Sequence, residues 1–256
     1  MDHFDFSHIN LVPKLCVVNS RSECSSRIHI LRRPYNLPVI PANMECIINQ
    51  DIAIMLAQRG FFYIMHRFNI DVVAFANAMK TNNLPISISI GVNDDAYQIM
   101  QTLQEQNLIP DYVTVDIAHG HSMKMQKMLK YLNSMPTVPF IIAGNVSTAQ
   151  GVKDLESWGA NAIKVGIGPG AACTTYTATG FGSRGAQASI IKLCADSKTN
   201  INTMIIADGG IKEPGDIAKS IALGADLVMV GGMFSGLKDS PGNIVKGADG
   251  LLYKEF

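Results

Sequence analysis

The chain has 256 residues, 47% hydrophobic and 16% charged, with a formal net charge of zero. Neutrality removes the electrostatic case for a nucleic acid or anionic membrane partner, and no apolar run approaches the roughly 18 residues a membrane helix needs. The opening "MDHFDFSHIN" has no basic segment and no apolar core, and five scattered cysteines (Cys16, Cys24, Cys46, Cys173, Cys194) include no CxxC pair, so a reduced, cytoplasmic protein is expected.

Short apolar runs rich in β-branched residues recur along the chain: 37–44, 61–66, 85–92, 112–119, 139–146, 162–170, 204–210 and 226–232. Each is too short for a typical helix and reads as a buried strand. Segments of helical character lie between them, among them 51–60, 94–107, 147–160 and 213–225, several opening on Asp, Ser or Thr and closing on Gly or Asn. Alternation of this kind, with near-continuous apolar strands, predicts a parallel sheet covered by helices. Eight strands point to an α/β fold of the (β/α)8 TIM-barrel type, one domain over 1–256. An open dinucleotide-binding sheet is disfavoured, because the glycine-rich "GIGPG" follows the sixth strand and not the first. After "VMVGGMFSG" the remaining residues leave room for a short helix and a hairpin arm, so the barrel is expected to lack its C-terminal flap and last helix.

In such a barrel the chemistry sits at the C-terminal ends of the strands. There the sequence turns polar or glycine-rich, at Asn43, His66, Gly91, Asp116, Asn145, Gly168, Asp208 and Gly231. The densest signal is "GIGPGAACTT" (166–175), where flexible backbone runs straight into a thiol. Glycine lets main-chain groups crowd around a ligand, and a thiolate is both a strong nucleophile and a good leaving group. "HGH" (119–121) invites a metal reading, but two histidines without a third ligand nearby are weak evidence for one.

Together "GIGPGAACTT", "TGFG", "IIADGGI", "GADLVMVGGMFSG", "NSRSE", "PANM", "DIAHGHS" and "AGNV" resemble the IMP dehydrogenase/GMP reductase family, from about residue 6 to the end. The stretch "DIAHGHS", and the lack of a CBS insert between early barrel elements, are most similar to its GMP reductase branch. The resemblance implies NADPH-dependent reductive deamination of GMP to IMP and ammonia through a thioimidate on Cys173. It implies catalytic roles for Cys173, Thr175 and Asp116, with GMP or IMP held by Asp208, Gly209, Gly210, Gly231 and Gly232. It places NADPH against Ser20, Arg21, Arg67, Asp116, Ile117, Ala118, Ile167 and Gly168. Main-chain carbonyls of Gly168, Gly170 and Cys173 would bind a monovalent cation, usually potassium. Because Ser20 and Arg21 match a segment that reaches a neighbouring subunit's adenosine, a homotetramer is expected. Ala171 stands where many relatives have Ser, so a hydroxyl contact to phosphate is expected to be missing.

Thr175 matches a threonine that works with a flap glutamate to protonate the departing ammonia. That glutamate's motif falls past Phe256, and Glu255 is not at its position. Two alternatives therefore stand beside the reductase: an IMP dehydrogenase core without CBS domains, and a catalytically impaired barrel that binds purine nucleotide.

Overall fold

A computed structural model describes residues 3–255; Met1, Asp2 and Phe256, the ends of the expected 1–256 unit, lie outside the described residues. An antiparallel hairpin, β1 (Ile28–Ile30) and β2 (Arg33–Tyr35), precedes the main sheet. Seven parallel strands then follow: β3 (Val39–Pro41), β4 (Ser87–Ile90), β5 (Tyr112–Asp116), β6 (Phe140–Val146), β7 (Ala162–Val165), β8 (Met204–Asp208) and β9 (Leu227–Val230). Their order in space is β3-β9-β8-β7-β6-β5-β4, a sheet curled into a (β/α)8-like barrel. Helices α1 (Gln50–Gln58), α2 (Val72–Thr81), α3 (Asp94–Glu105), α4 (Met123–Asn133), α5 (Ala149–Ser157), α6 (Thr175–Thr179), α7 (Gln187–Asp196) and α8 (Pro214–Ala222) alternate with the strands.

Side-chain caps start four of these helices. Asn49 accepts from Ile52 N–H at 3.0 Å, Asp71 from Val73 and Ala74 N–H, Ser122 from Met125 N–H, and Thr148 from Gly151 N–H. Each such cap is worth about 1 kcal/mol. Side chains alternate across each strand. Ile88, Ile90, Val113, Val115, Ile141, Ile163 and Ile205 face the helices, while Ile40, Phe62, Tyr112, Phe140, Ile142, Ile206 and Met229 fill the barrel. The β1–β2 hairpin packs with this inner set: Tyr35 Oη donates to Tyr112 Oη at 2.9 Å, and the Tyr112 ring packs edge-on against Phe62 and Phe140. Burial of aliphatic or aromatic side chains stabilises by about 1.5–3 kcal/mol each, so these two layers hold the scaffold.

The expected second strand, 61–66, differs from the rest. It is buried and lies between β3 and β4 in chain order, but it joins no ladder. Side chains take the place of ladder bonds. Tyr63 Oη donates to Pro85 O at 2.6 Å and accepts from Ser87 N–H at 3.2 Å; Ser89 Oγ donates to Met65 O at 2.6 Å. One main-chain bond to β4 remains, Met65 N–H to Ser87 O at 3.2 Å. After β9 come turns and an exposed hairpin, β10 (Asn243–Lys246) and β11 (Leu252–Glu255), with no further helix among the described residues. No helix among the described residues is long and apolar enough to cross a membrane.

Candidate active site

The polar strand ends converge on one buried cation. Lys164, on β7, has a side chain only 3% exposed, and its Nζ lies 3.1 Å from Asp116 Oδ1 and 3.2 Å from Asp208 Oδ2. Asp116 ends β5 and Asp208 ends β8. Asn43, from the loop after β3, donates through Nδ2 to Asp116 Oδ2 at 2.7 Å and to Ser89 Oγ at 3.1 Å. Asn145, beside a register shift in β6, donates to Asp208 Oδ2 at 2.7 Å and to Gly166 O at 2.6 Å. Six strands, β3 to β8, are thereby tied into one network.

Burial alone would raise the Asp116 carboxyl, but the Lys164 ammonium, the Asn43 amide and Arg67 outweigh it and hold the pKa below the ordinary value. Burial would likewise lower Lys164, yet the two carboxylates raise it. Desolvating each ion costs several kcal/mol, so a buried cluster of this kind is poor evidence of stabilisation. Its place at the barrel mouth is better explained by what it holds ready there. Two carboxylates share one ammonium, leaving one excess negative charge toward which Arg67 contributes. Because the Asp116 pKa is depressed on folding, its contribution to stability is complete above the unfolded value of about 3.9 and is lost as pH falls through the folded value. Thermal melts are therefore expected to show a loss of Tm setting in below about pH 4, smaller in Asp116→Asn. Equal acid limbs in the two proteins would contradict this.

The cysteine loop leaves β7 at Gly166 and reaches α6. Gly168 has φ +78°, and a Cβ there would lie 2.7 Å from Tyr176 Cβ, so only glycine lets the loop pass so close to the helix that follows. Ile167 N–H donates to Ser147 Oγ and Ser183 Oγ, which anchors the loop's start. Cys173 is exposed, with its N–H donating to Gly170 O at 3.1 Å. Thr175 begins α6 and is partly buried. The loop also meets the turn after β8: a Cβ on Gly209 would lie 2.8 Å from Pro169 Cγ and 3.0 Å from Gly170 N. Gln187, fully buried, donates to Val165 O at 3.0 Å and Asp208 O at 3.1 Å, locking the ends of β7 and β8 together.

The remaining predicted residues fall into two groups. Ile117 N–H donates to Gly144 O, and Ala118 follows, exposed, on the loop toward α4. Gly210 lies by Pro169 and Gln187, Gly231 against Ala42 and Ile47, and Gly232 has open space around it. Arg67 lies beside Gly91, its guanidinium 4.5 Å from the Phe68 ring centroid, and its buried Nε has no protein partner among the described residues. Ser20 and Arg21 are apart from all of these, in an exposed 3-10 turn that Ser20 caps. His121 Nε2 lies 2.7 Å from Asp154 Oδ2, and no group of three His, Cys, Asp or Glu suited to a metal occurs among the described residues. His66 is buried, and burial lowers its pKa, favouring the neutral ring.

Lys164 and Gln187 are the site residues that pattern reading missed. The signal for Lys164 was a lone charge inside an otherwise apolar strand run, "AIKVGIG". Charged residues are almost never fully buried unless paired, and strand alternation puts Ala162 and Lys164 on the same inward face.

The family model for the "IMP dehydrogenase / GMP reductase domain" matches residues 3–256. GMP reductase of Mesoplasma florum is 48% identical over 254 residues, covering 99% of this chain and 78% of the relative. The GMP reductase of Albidiferax ferrireducens is 50% identical over 257 residues, covering 100% and 78%. That of Bacillus subtilis is 47% identical over 254 residues, covering 99% and 77%. Among solved structures, inosine 5′-monophosphate dehydrogenase from Legionella pneumophila superposes with a TM-score of 0.86 at 34% identity, covering 99% of this chain and 76% of that one. With its barrel, its cysteine loop and its clustered strand ends, the chain belongs to the IMP dehydrogenase / GMP reductase family.

Proposed function

We propose that the chain is an oxidoreductase that converts GMP and NADPH to IMP, ammonia and NADP through a covalent bond between Cys173 and C2 of the purine. The observation that carries this reading is the packing of the cysteine loop, through Pro169 and Gly170, on the Gly209–Gly210 turn, next to the Asp116–Lys164–Asp208 cluster. A nucleotide whose phosphate meets the N–H groups of Gly209, Gly210, Gly231 and Gly232, and whose ribose meets Asp208, has its base directed toward Cys173.

The Cys173 thiolate adds to C2, and the C2–N bond to the exocyclic amine breaks as Thr175 helps deliver a proton to the departing ammonia. A thioimidate remains. NADPH, when bound, supplies the hydride that C2 then accepts. The C2–S bond breaks and the thiolate leaves, giving IMP. Asp116, Ile117, Ala118, Ile167 and Gly168 would hold the nicotinamide end, and Arg67 would meet the dinucleotide phosphates. The orphaned Arg67 Nε and Asn145 Oδ1 fit such partners, being buried polar atoms that need a ligand or water. Gly168, Gly170 and Cys173 would offer carbonyls to potassium; the Gly170 carbonyl keeps one lone pair beyond its bond to Cys173 N–H.

Assembly as a cytoplasmic homotetramer, with Ser20 and Arg21 serving a neighbour's adenosine, completes the proposal. Support comes from an exposed apolar stretch just before them, with Val12, Leu15 and Val17 at least 80% exposed. The test is ammonia release by the natural gene product given GMP and NADPH. The expected result is one ammonia per NADPH oxidised. Reduction of NAD with IMP, and none of the first activity, would move the chain to the dehydrogenase side.

A further inference from the structure

We propose that Lys164 is a positioning residue for ribose recognition: clamped between Asp116 and Asp208, it holds the Asp208 carboxylate in place and aimed at the nucleotide's sugar hydroxyls. The proposal rests on the reading of the site given above and names a residue which that reading does not use.

Its geometry is that of a built device. Lys164 Nζ reaches Asp116 Oδ1, Asp208 Oδ2 and, at 3.5 Å, Asn43 Oδ1, so its three donors are all spent inside the protein. The side chain is 3% exposed and has no donor left for a ligand, so any effect on the nucleotide passes through its partners. The barrel makes room for it: Gly144 is its ladder partner on β6, and a Cβ on Gly144 would lie 2.5 Å from Lys164 Cβ.

The consequence falls on Asp208. Its Oδ2 is taken by Lys164 and by Asn145 Nδ2, and among the described residues no hydrogen bond falls on Oδ1. Two contacts on one oxygen fix the carboxylate's plane and leave the other oxygen for hydroxyl donors. Without the ammonium, two carboxylates would face each other with no cation between them. Repulsion between like charges would turn one of them away. That movement takes the aimed acceptor away from the ribose hydroxyls. Arg67 cannot substitute, because it stands on the Asp116 side.

The test compares calorimetric binding of GMP and of 2′,3′-dideoxy-GMP to the natural gene product. Hydrogen bonds to charged groups predict that the wild type prefers GMP by about 10- to 100-fold. Lys164→Met is expected to cut that preference below about threefold by weakening GMP while leaving the dideoxy analogue unchanged. Lys164→Arg is expected to restore most of it. Should Lys164→Met not fold, Lys164→Gln, which keeps a donor but loses the charge, gives the same reading. An equal loss for both nucleotides would mean a merely structural lysine, and an unchanged preference would mean no role; either overturns the proposal. A wild-type protein that binds GMP but shows no preference overturns it too. Absence of any GMP binding would strike the proposed function itself, and this inference with it.

Discussion

Cys173→Ser is expected to lower GMP turnover at least ~10³-fold while nucleotide affinity and Tm stay unchanged. The alcohol is a far weaker nucleophile at neutral pH, and nothing else in the loop can form the bond to C2. Affinity should survive because the proposed phosphate and ribose contacts are assigned to the Gly209–Gly210 turn, Gly231, Gly232 and Asp208. Tm should survive because the side chain is exposed, and the loop bond at this position uses the main-chain N–H. Exposure does not single out Cys173, since Cys16 and Cys24 are exposed as well. Cys194 is excluded on physical grounds: it is buried, and burial pushes its thiol up to about 12. Cys46 is partly buried, and burial raises its pKa too. What distinguishes Cys173 is its loop, whose Pro169 and Gly170 pack on the Gly209 turn after β8. Turnover is followed by NADPH oxidation, affinity by calorimetry and Tm by melting. Residual turnover within tenfold of wild type would remove Cys173 from the mechanism.

The barrel was legible because its signal is periodic and repeated. Apolar runs such as "PFIIAGNV" and "MIIADGG" became β6 and β8, and each run's polar end reached the mouth. Run 61–66 looked the same, but sequence pattern carries no information on whether a strand's bonds go to a neighbour's main chain or to Tyr63, Ser87 and Ser89. The hairpin 28–35 was not anticipated; its "HILRRPY" has neither a glycine turn nor a clean alternation. Asp116 and Asp208 were recognised separately, 92 positions apart, through their motifs. That one lysine joins them is a fact of the curled sheet's strand order, which puts β8 beside β7 on one side and β5 on the other with only β6 between. Gln187 was invisible for a similar reason: a polar residue at a helix start reads as solvent-facing until the fold buries it against two carbonyls.

Gly166→Ala should be among the most damaging single-methyl additions in the protein, costing about 2–6 kcal/mol of stability, where Gly170→Ala four residues on costs within about 0.5 kcal/mol. Gly166 has φ +140°, a conformation L side chains rarely adopt. An added Cβ would overlap the Asp208 carbonyl oxygen and lie 2.7 Å from Gln187 Nε2. Neither neighbour can retreat cheaply. The Asp208 carbonyl accepts from Gln187, and Gln187 Oε1 is held in turn by Ser183 Oγ at 2.6 Å. Strain at a special φ contributes about 1–3 kcal/mol and overpacking a further 1–3. Against a total stability of about 5–15 kcal/mol, that is enough to lower Tm sharply. The effect should also reach function in molecules that remain folded. Moving the Asp208 main chain tilts the carboxylate, and Gly166 O is the acceptor that holds Asn145 in place. Nucleotide affinity should therefore fall together with Tm. Gly170, by contrast, has nothing within 4 Å of the place its Cβ would take. Paired urea melts of the two variants decide the matter: equal midpoints would show that the close approach of β7 and β8 does not hold this site together.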